Sequence, residues 1–252
     1  MARFFVSEVL AGQKTTAIKG PDLRHISRVL RLGPGDKIEI ADAGGREFDA
    51  EIREITGKEV ICDIIAERAT ATEAPLEVVL YQGLPKGDKL DLVIQKSTEL
   101  GVSRIVPVIC ERTIVRLDQR KAAARHTRWQ RVAEEAAKQS RRMVVPVVAE
   151  PLAFVDAVAE ITPDVLGIMP WEEERLVGIK DVLRGNKITG KKAAVFIGPE
   201  GGFTPEEARL SRNAGVLPVS LGPRIMRTET AGIVAAAIIL YELGDLGGVS
   251  NG

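Results

Sequence analysis

The sequence is poor in the groups that enzymes most often recruit for covalent or metal chemistry. It holds two histidines and two cysteines in 252 residues. His25 and His126 fall in arginine-rich stretches, where both are expected on basic surface faces. Cys62 and Cys110 sit in apolar runs without partner spacing, so they read as buried small hydrophobes in a reducing, cytoplasmic setting. With no CxxC pair, a His/Cys metal site is not expected. Neither a GxSxG elbow nor a GxxxxGK[ST] loop is present, and no GxGxxG follows a strand. The N-terminus lacks a basic segment followed by a long apolar stretch and a cleavage site. The longest apolar run, Ala231–Tyr241, is shorter than the roughly 20 residues of a membrane span. An excess of either charge is also missing: 35 Lys and Arg balance 35 Asp and Glu. That balance excludes a uniformly basic nucleic-acid binder. What remains is ordinary for a globular chain, with 45% hydrophobic and 28% charged residues and enough length to bury a sizeable core.

The balance is an average over unlike parts. Residues 1–72 hold 11 basic and 12 acidic side chains, residues 73–145 hold 14 and 9, and residues 146–252 hold 10 and 14. A linker is expected at Glu67–Pro75, small, polar and closed by proline, dividing the chain into domains 1–72 and 73–252. In the first domain, short runs of period two (Lys37–Ala41, Phe48–Ile52, Val60–Ile64) alternate with glycine turns and predict a small antiparallel barrel. Asp22–Leu32 predicts a helix capped by Asp22, with Leu23, Ile26 and Leu30 on its apolar face. Arg24, Arg28 and Arg31 then share another face. They form either a solvated charged face or one that meets phosphates, and their single sign favours the second.

Beyond Pro75 the pattern becomes strand–helix alternation. Strands are expected at 76–83, Arg104–Ile109, Val144–Val148, Val165–Met169, Ala193–Gly198 and Val216–Leu221, with a short one at Thr113–Val115. Helices are expected at Asp88–Leu100, Gln119–Arg142, from Leu152, from Glu172, from Thr204 and over Thr228–Leu243. Apolar strands alternating with helices imply an α/β fold with a mainly parallel sheet. Between Arg112 and Arg142 stand ten basic residues against three acidic ones. Such density suits a polyanion, and RNA in particular, with Arg125, Arg128 and Arg131 as candidate phosphate contacts. Trp129, interleaved among them, reads as a packing residue rather than a base-stacking one.

Two strand-end segments carry the remaining signal. In Ile197–Pro205 (IGPEGGFTP), three glycines at the end of a buried strand let backbone approach a ligand, and Thr204-Pro205 starts a helix. In Leu221–Ala231 (LGPRIMRTETA), Arg224, Arg227 and Glu229 crowd the start of a helix that is apolar nearly all round. Such a helix is buried in a core or across a subunit interface. Charge beside buried surface is costly unless paired or used. By themselves these residues could equally be a capping and salt-bridge cluster.

Together, IGPEGGFTPEE (197–207) and LGPRIMRTETA (221–231) resemble the SPOUT class of S-adenosylmethionine-dependent RNA methyltransferases. KGDKLDLVIQKSTELGVSRIVPV (86–108) and HISRVLRLGPGD (25–36) extend the match along nearly the whole chain, to the RsmE family, which methylates N3 of a uridine in 16S ribosomal RNA. The resemblance implies a PUA-like N-terminal barrel that helps bind RNA, a trefoil-knotted α/β domain and a homodimer. It also implies that S-adenosyl-L-methionine lies in loops that map here to Pro170, to Gly198, Glu200, Gly201 and Gly202, and to Leu221, Gly222, Ile225 and Met226. Met226 stands where leucine is expected. Arg227 and Arg224 are then candidates for stabilising charge on the base or clamping phosphate, and Glu229 for accepting a proton. A weaker alternative gives that proton to Glu200. Structured 16S RNA becomes the expected partner, with the assembled small subunit as its setting. A ribose 2′-hydroxyl or transfer RNA methyltransferase of the same class stays open, as does a non-enzymatic ribosome-assembly factor.

Overall fold

The computed structural model describes residues 2–68, 73–115, 119–185 and 191–248. Residues 69–72 of the expected linker, together with Arg116 and Asp118, lie outside them, as do the side chains of Arg120 and Lys121. The chain forms two compact units. One runs to Glu73 and takes in Arg141–Val144; the other comprises Ala74–Ser140 and the chain from Val145 onward.

The first unit is a five-stranded sheet: β1 Arg3–Phe5, β2 Thr15–Lys19, β3 Lys37–Ala41, β4 Glu47–Ile55 and β5 Glu59–Arg68, in the order β1-β3-β4-β5-β2. Alternate residues (Ile38, Ile40, Phe48, Ala50, Ile52, Val60, Cys62) turn into one core with Phe4, Ile18 and Ile26. The expected antiparallel arrangement holds for three of the four pairings, but β1 runs parallel to β3. The helix expected over Asp22–Leu32 is a single α-turn, α1 Pro21–Arg24, followed by a π-helical turn over His25–Val29. Gly20, not Asp22, takes the cap position. The wider turn bonds Leu30 N–H to the His25 carbonyl, which breaks the 3.6-residue repeat. Ile26 is buried, but Leu30 is exposed and Arg31 has left the helix at φ 54°. The excursion Arg141–Val144 is held by Glu73, whose carboxylate accepts from Arg142 Nη2 (2.6 Å) and the Met143 N–H (2.8 Å).

In the second unit, β6 Glu77–Gly83, β7 Arg104–Ile109, β8 Val147–Val148, β10 Val165–Pro170, β11 Lys192–Ile197 and β12 Val216–Val219 make a sheet in the order β12-β10-β11-β6-β7-β8, with β9 Leu152–Ala153 beside β7. All its pairings are parallel. Successive strand residues face opposite layers. Leu80, Ile105 and Val195 pack under α2 Lys89–Leu100, α3 Gln119–Gln139, α5 Ile179–Gly185 and α7 Thr228–Leu243. Tyr81, Val106 and Phe196 pack under α4 Phe154–Ala159. Ala208 of α6 Pro205–Asn213 closes the same layer. This mixed α/β fold with a parallel sheet agrees with the knotted class of the resemblance. Among the described residues, no helix is long and apolar enough to cross a membrane.

Five expected elements of this unit differ. The strand expected over Val144–Val148 is extended only at Val147–Val148, because the Val144 N–H is taken by Glu73. The helix expected from Leu152 starts at Phe154, because Leu152–Ala153 pairs with β7. Thr113–Val115 is irregular, not a strand, because a turn at Glu111-Arg112 precedes it and Thr113 Oγ1 accepts the Cys110 N–H at 2.9 Å. No helix starts at Glu172, because the Glu174 carboxylate accepts the N–H groups of Leu176 and Val177 and closes a turn; the helix waits until Ile179. The basic helix stops at Gln139, with Arg141 at φ 59°. Within it Trp129 is 3% exposed and packs in the main core. Thr204 caps α6 as expected and forms a reciprocal box with Glu207, worth about 1 kcal/mol to such a helix.

Candidate active site

Loops leaving the carboxyl ends of β10, β11 and β12 meet over one cleft of about 1050 Å³. In an open parallel sheet, that edge is where ligands bind. Pro170, Gly198, Glu200, Gly202, Leu221, Gly222, Ile225 and Met226 line it, with Arg224 and Arg227. Three stretches separated by about 20 to 50 residues are thus brought to one place by strand order. Gly201 is not in the lining. Its carbonyl accepts from Arg112 Nη1 at 2.9 Å, so it fastens the loop from the side. Ile225 is 91% exposed, which leaves Leu221 and Met226 as the partly covered apolar wall.

The glycine loop has little room. Gly202 adopts φ +69°, and a Cβ there would collide with the Glu172 carboxylate. Below the cleft runs a buried relay: Gln82 Nε2 donates to Thr228 Oγ1 (2.8 Å), which donates to the Gly198 carbonyl (2.5 Å). Thr228 opens α7, so the relay ties β6, the glycine loop and that helix together.

Charge on the rim is arranged in two sets. Lys89, the first residue of α2, places Nζ 3.0 Å from Glu200 Oε1 and 3.5 Å from Glu229 Oε2. The Glu200 carboxylate also accepts the Lys86 N–H at 3.1 Å. Burial pushes the Glu200 carboxyl upward, but the Lys89 ammonium and backbone N–H groups outweigh it and hold the group below the usual carboxylate range. The same pairing, with Glu200 first, raises Lys89. Arg224 and Arg227 form the other set, both exposed and without an ion pair among the described residues. Glu229 stands beside the cleft in the first turn of α7, its side chain 14% exposed. Lys89, Glu172 and Gln82 were missed as site residues. Only Lys89 had a signal, since it falls in the segment 86–108 that extends the resemblance.

The candidate RNA contacts fall in both units. Arg24, Arg28 and Arg31 are exposed on the first unit, but the π-helical turn removes the regular face they were expected to share. On α3, Arg125 is half-buried and Arg131 exposed. Arg128 is paired with Asp88 (3.2 Å), the cap of α2, and with Asp91 (2.5 Å) in its first turn. His126 is not a free surface residue. It is half-buried, with Nε2 2.7 Å from the Val148 carbonyl.

Parallel strands, a glycine-rich strand-end cleft and a separate small β-unit define a class, and comparison with known families agrees. A model of an RNA methyltransferase domain matches residues 72–240, and one of an RNA methyltransferase PUA domain matches residues 18–65. The Bacillus subtilis ribosomal RNA small subunit methyltransferase E is 34% identical over 96% of this chain and 97% of its own. Its Synechocystis counterpart is 34% identical over 90% of this chain and 73% of its own. The crystal structure of the Neisseria gonorrhoeae counterpart, bound to S-adenosyl methionine, superposes with a TM-score of 0.87 at 35% identity, covering 97% of this chain and 99% of that one. The chain belongs to the ribosomal RNA small subunit methyltransferase E family.

Proposed function

We propose that this chain transfers a methyl group from S-adenosylmethionine to N3 of a uridine in 16S ribosomal RNA, on structured RNA of the small subunit. Methylation of small-subunit ribosomal RNA with this cofactor follows from the family; the target atom and the form of the substrate are our reading. The observation that carries it is the convergence on one cleft of two guanidinium groups without an ion pair among the described residues, Arg224 and Arg227, beside the half-buried Glu229 carboxylate.

The cleft fits the cofactor. It is large enough for a nucleoside with an amino-acid arm. Leu221 and Met226 offer an apolar wall for a purine, and Glu172, Glu174 and Glu200 offer negative charge to a cation. When bound, S-adenosylmethionine supplies a methyl group on a sulfonium that keeps the bonding electron pair as the methyl departs. Uridine N3 must lose its imide proton as the new N–C bond forms. Glu229 is the acceptor for that proton in our reading. Arg227 and Arg224 stabilise the charge that spreads onto the flanking carbonyl oxygens, or hold an adjacent phosphate. Because N3 is paired or stacked in most RNA, the base has to be splayed out to reach the cleft.

Two tests address the reading directly. Calorimetric titration with S-adenosylmethionine should show binding, and methyl transfer to small-subunit RNA should follow; binding without transfer would favour a non-enzymatic factor. Mapping modified nucleotides in ribosomal RNA from cells with and without the gene should reveal one lost uridine methylation. Loss of a ribose methyl or of a transfer RNA mark would overturn the N3 assignment.

Removing charge at Arg125 and Arg131 is expected to weaken RNA binding and flatten its salt dependence, by about 0.7 in log–log slope for each single-strand phosphate no longer neutralised. Arg128→Ala should matter less, because Asp88 and Asp91 already neutralise it. Filter binding across a salt series measures both, and an unchanged slope for the Arg125 and Arg131 pair would remove α3 from the RNA site.

A homodimer is part of the same reading. Ile233, Val234 and Ile238 on α7 stay half-buried and Tyr241 is 66% exposed, which leaves an apolar strip uncovered. Light scattering should give twice the chain mass; a monomer at micromolar concentration would contradict it.

A further inference from the structure

The turn Lys86-Gly87-Asp88-Lys89 belongs to none of the three strand-end loops, yet its last residue lines the cleft. Lys89 opens α2, the end of a helix where a cation is disfavoured. Residues that break a local rule in this way gather at functional sites. Its ammonium lies between two carboxylates from separate parts of the site, Glu200 of the glycine loop and Glu229 of α7. Glu229 Oε2 is buried and has no hydrogen-bond partner among the described residues. Lys89 is also the one cation within ion-pair distance of it among them.

We propose that Lys89 is a positioning residue for methyl transfer, holding the Glu229 carboxylate in place through its charge without touching the substrate. The proposal rests on the reading of Glu229 as proton acceptor. Glu200 has a second anchor in the Lys86 N–H, whereas the Oε2 atom of Glu229 depends on the ammonium. Without it, two carboxylates would face each other across the same gap, and like charges at that range repel. With it, one positive charge stands between the two carboxylates and offsets their repulsion, which fixes where the Glu229 carboxylate lies.

The test compares Lys89→Met, Lys89→Arg, Glu229→Gln and the double variant K89M/E229Q, with kcat, KM and calorimetric cofactor affinity measured on the full chain. K89M should lower kcat about tenfold or more while the KM for S-adenosylmethionine stays within about threefold, the pattern expected when an interaction made only in the chemical step is removed. K89R should recover most of the rate. The double variant should be no slower than E229Q alone, because the lysine acts through that carboxylate. Full turnover by K89M, failure of K89R to rescue, or losses that multiply in the double variant would each overturn the proposal. If E229Q is impaired and K89M is not, the acceptor assignment stands and the lysine proposal alone falls. If E229Q turns over fully, the acceptor assignment fails and takes the role of Lys89 with it. Should K89M not fold, K89Q against K89R puts the same question, since both keep a donor and only arginine keeps the charge.

Discussion

Glu229→Gln should cut methyl transfer about a hundredfold or more, with cofactor affinity nearly unchanged. The substitution keeps the size of the side chain and its place in the first turn of α7, and removes only its ability to take a proton. Glu229 does not line the cleft itself, so the cofactor loses no direct partner. Arg227→Ala is the companion measurement. It removes an exposed guanidinium at the cleft and should lower the rate through charge left unstabilised on the base. Steady-state kinetics on small-subunit RNA, with calorimetry for S-adenosylmethionine, separate the two contributions. If both variants turned over at the native rate with native cofactor binding, Glu229 and Arg227 would have no part in the chemistry.

Elements with a strong period were legible in the sequence, and so were loops whose residues lie together in the chain. The strand–helix alternation after Pro75, the Thr204 cap and the two strand-end segments each leave a local signature, and each is present. What escaped was set by distant contacts. The basic run on α3 reads as unmixed charge because no acidic i, i+4 neighbour stands in it before Glu134 and Glu135, but the acids that meet Arg128 come from the cap and first turn of α2, 40 residues earlier in the case of Asp88. Lys89 and Glu200 are 111 residues apart, so no spacing within the motif shows that they pair. The π-helical turn at His25–Val29 misled for a different reason. One wide turn leaves composition and hydrophobic content unchanged while shifting every later residue around the axis, so Arg31 reads as helical and is not. Strand β1 has only three residues, too few to show alternation. The side-chain partners of the cleft were therefore the least legible part, even though most of its lining was named from the two segments.

Gly83→Ala should disable the enzyme although Gly83 is in no recognised segment and touches no proposed substrate group. Gly83 ends β6, beside β11 in the middle of the sheet. A Cβ built on it would stand 2.5 Å from the Pro199 nitrogen and 2.7 Å from the Gly198 carbonyl carbon. Those are main-chain atoms of the glycine loop, so no change of rotamer relieves the overlap. Either β6 or the loop has to move. The strand is hydrogen-bonded on both sides, to β11 and to β7, and packs in both layers. The loop is the part free to yield. Its movement would strain the Thr228 hydrogen bond to the Gly198 carbonyl and pull Glu200 away from Lys89. Overpacking of this kind costs about 1–3 kcal/mol of stability, which urea unfolding would register. The larger effect should be on function, since displacing a reacting group by about 1 Å can cost a hundredfold in rate. A sharp loss of kcat/KM in a variant that still folds cooperatively is the expected result. Native kinetics would mean that the glycine loop adjusts freely, and that its close seat against β6 does not set the geometry of the cleft.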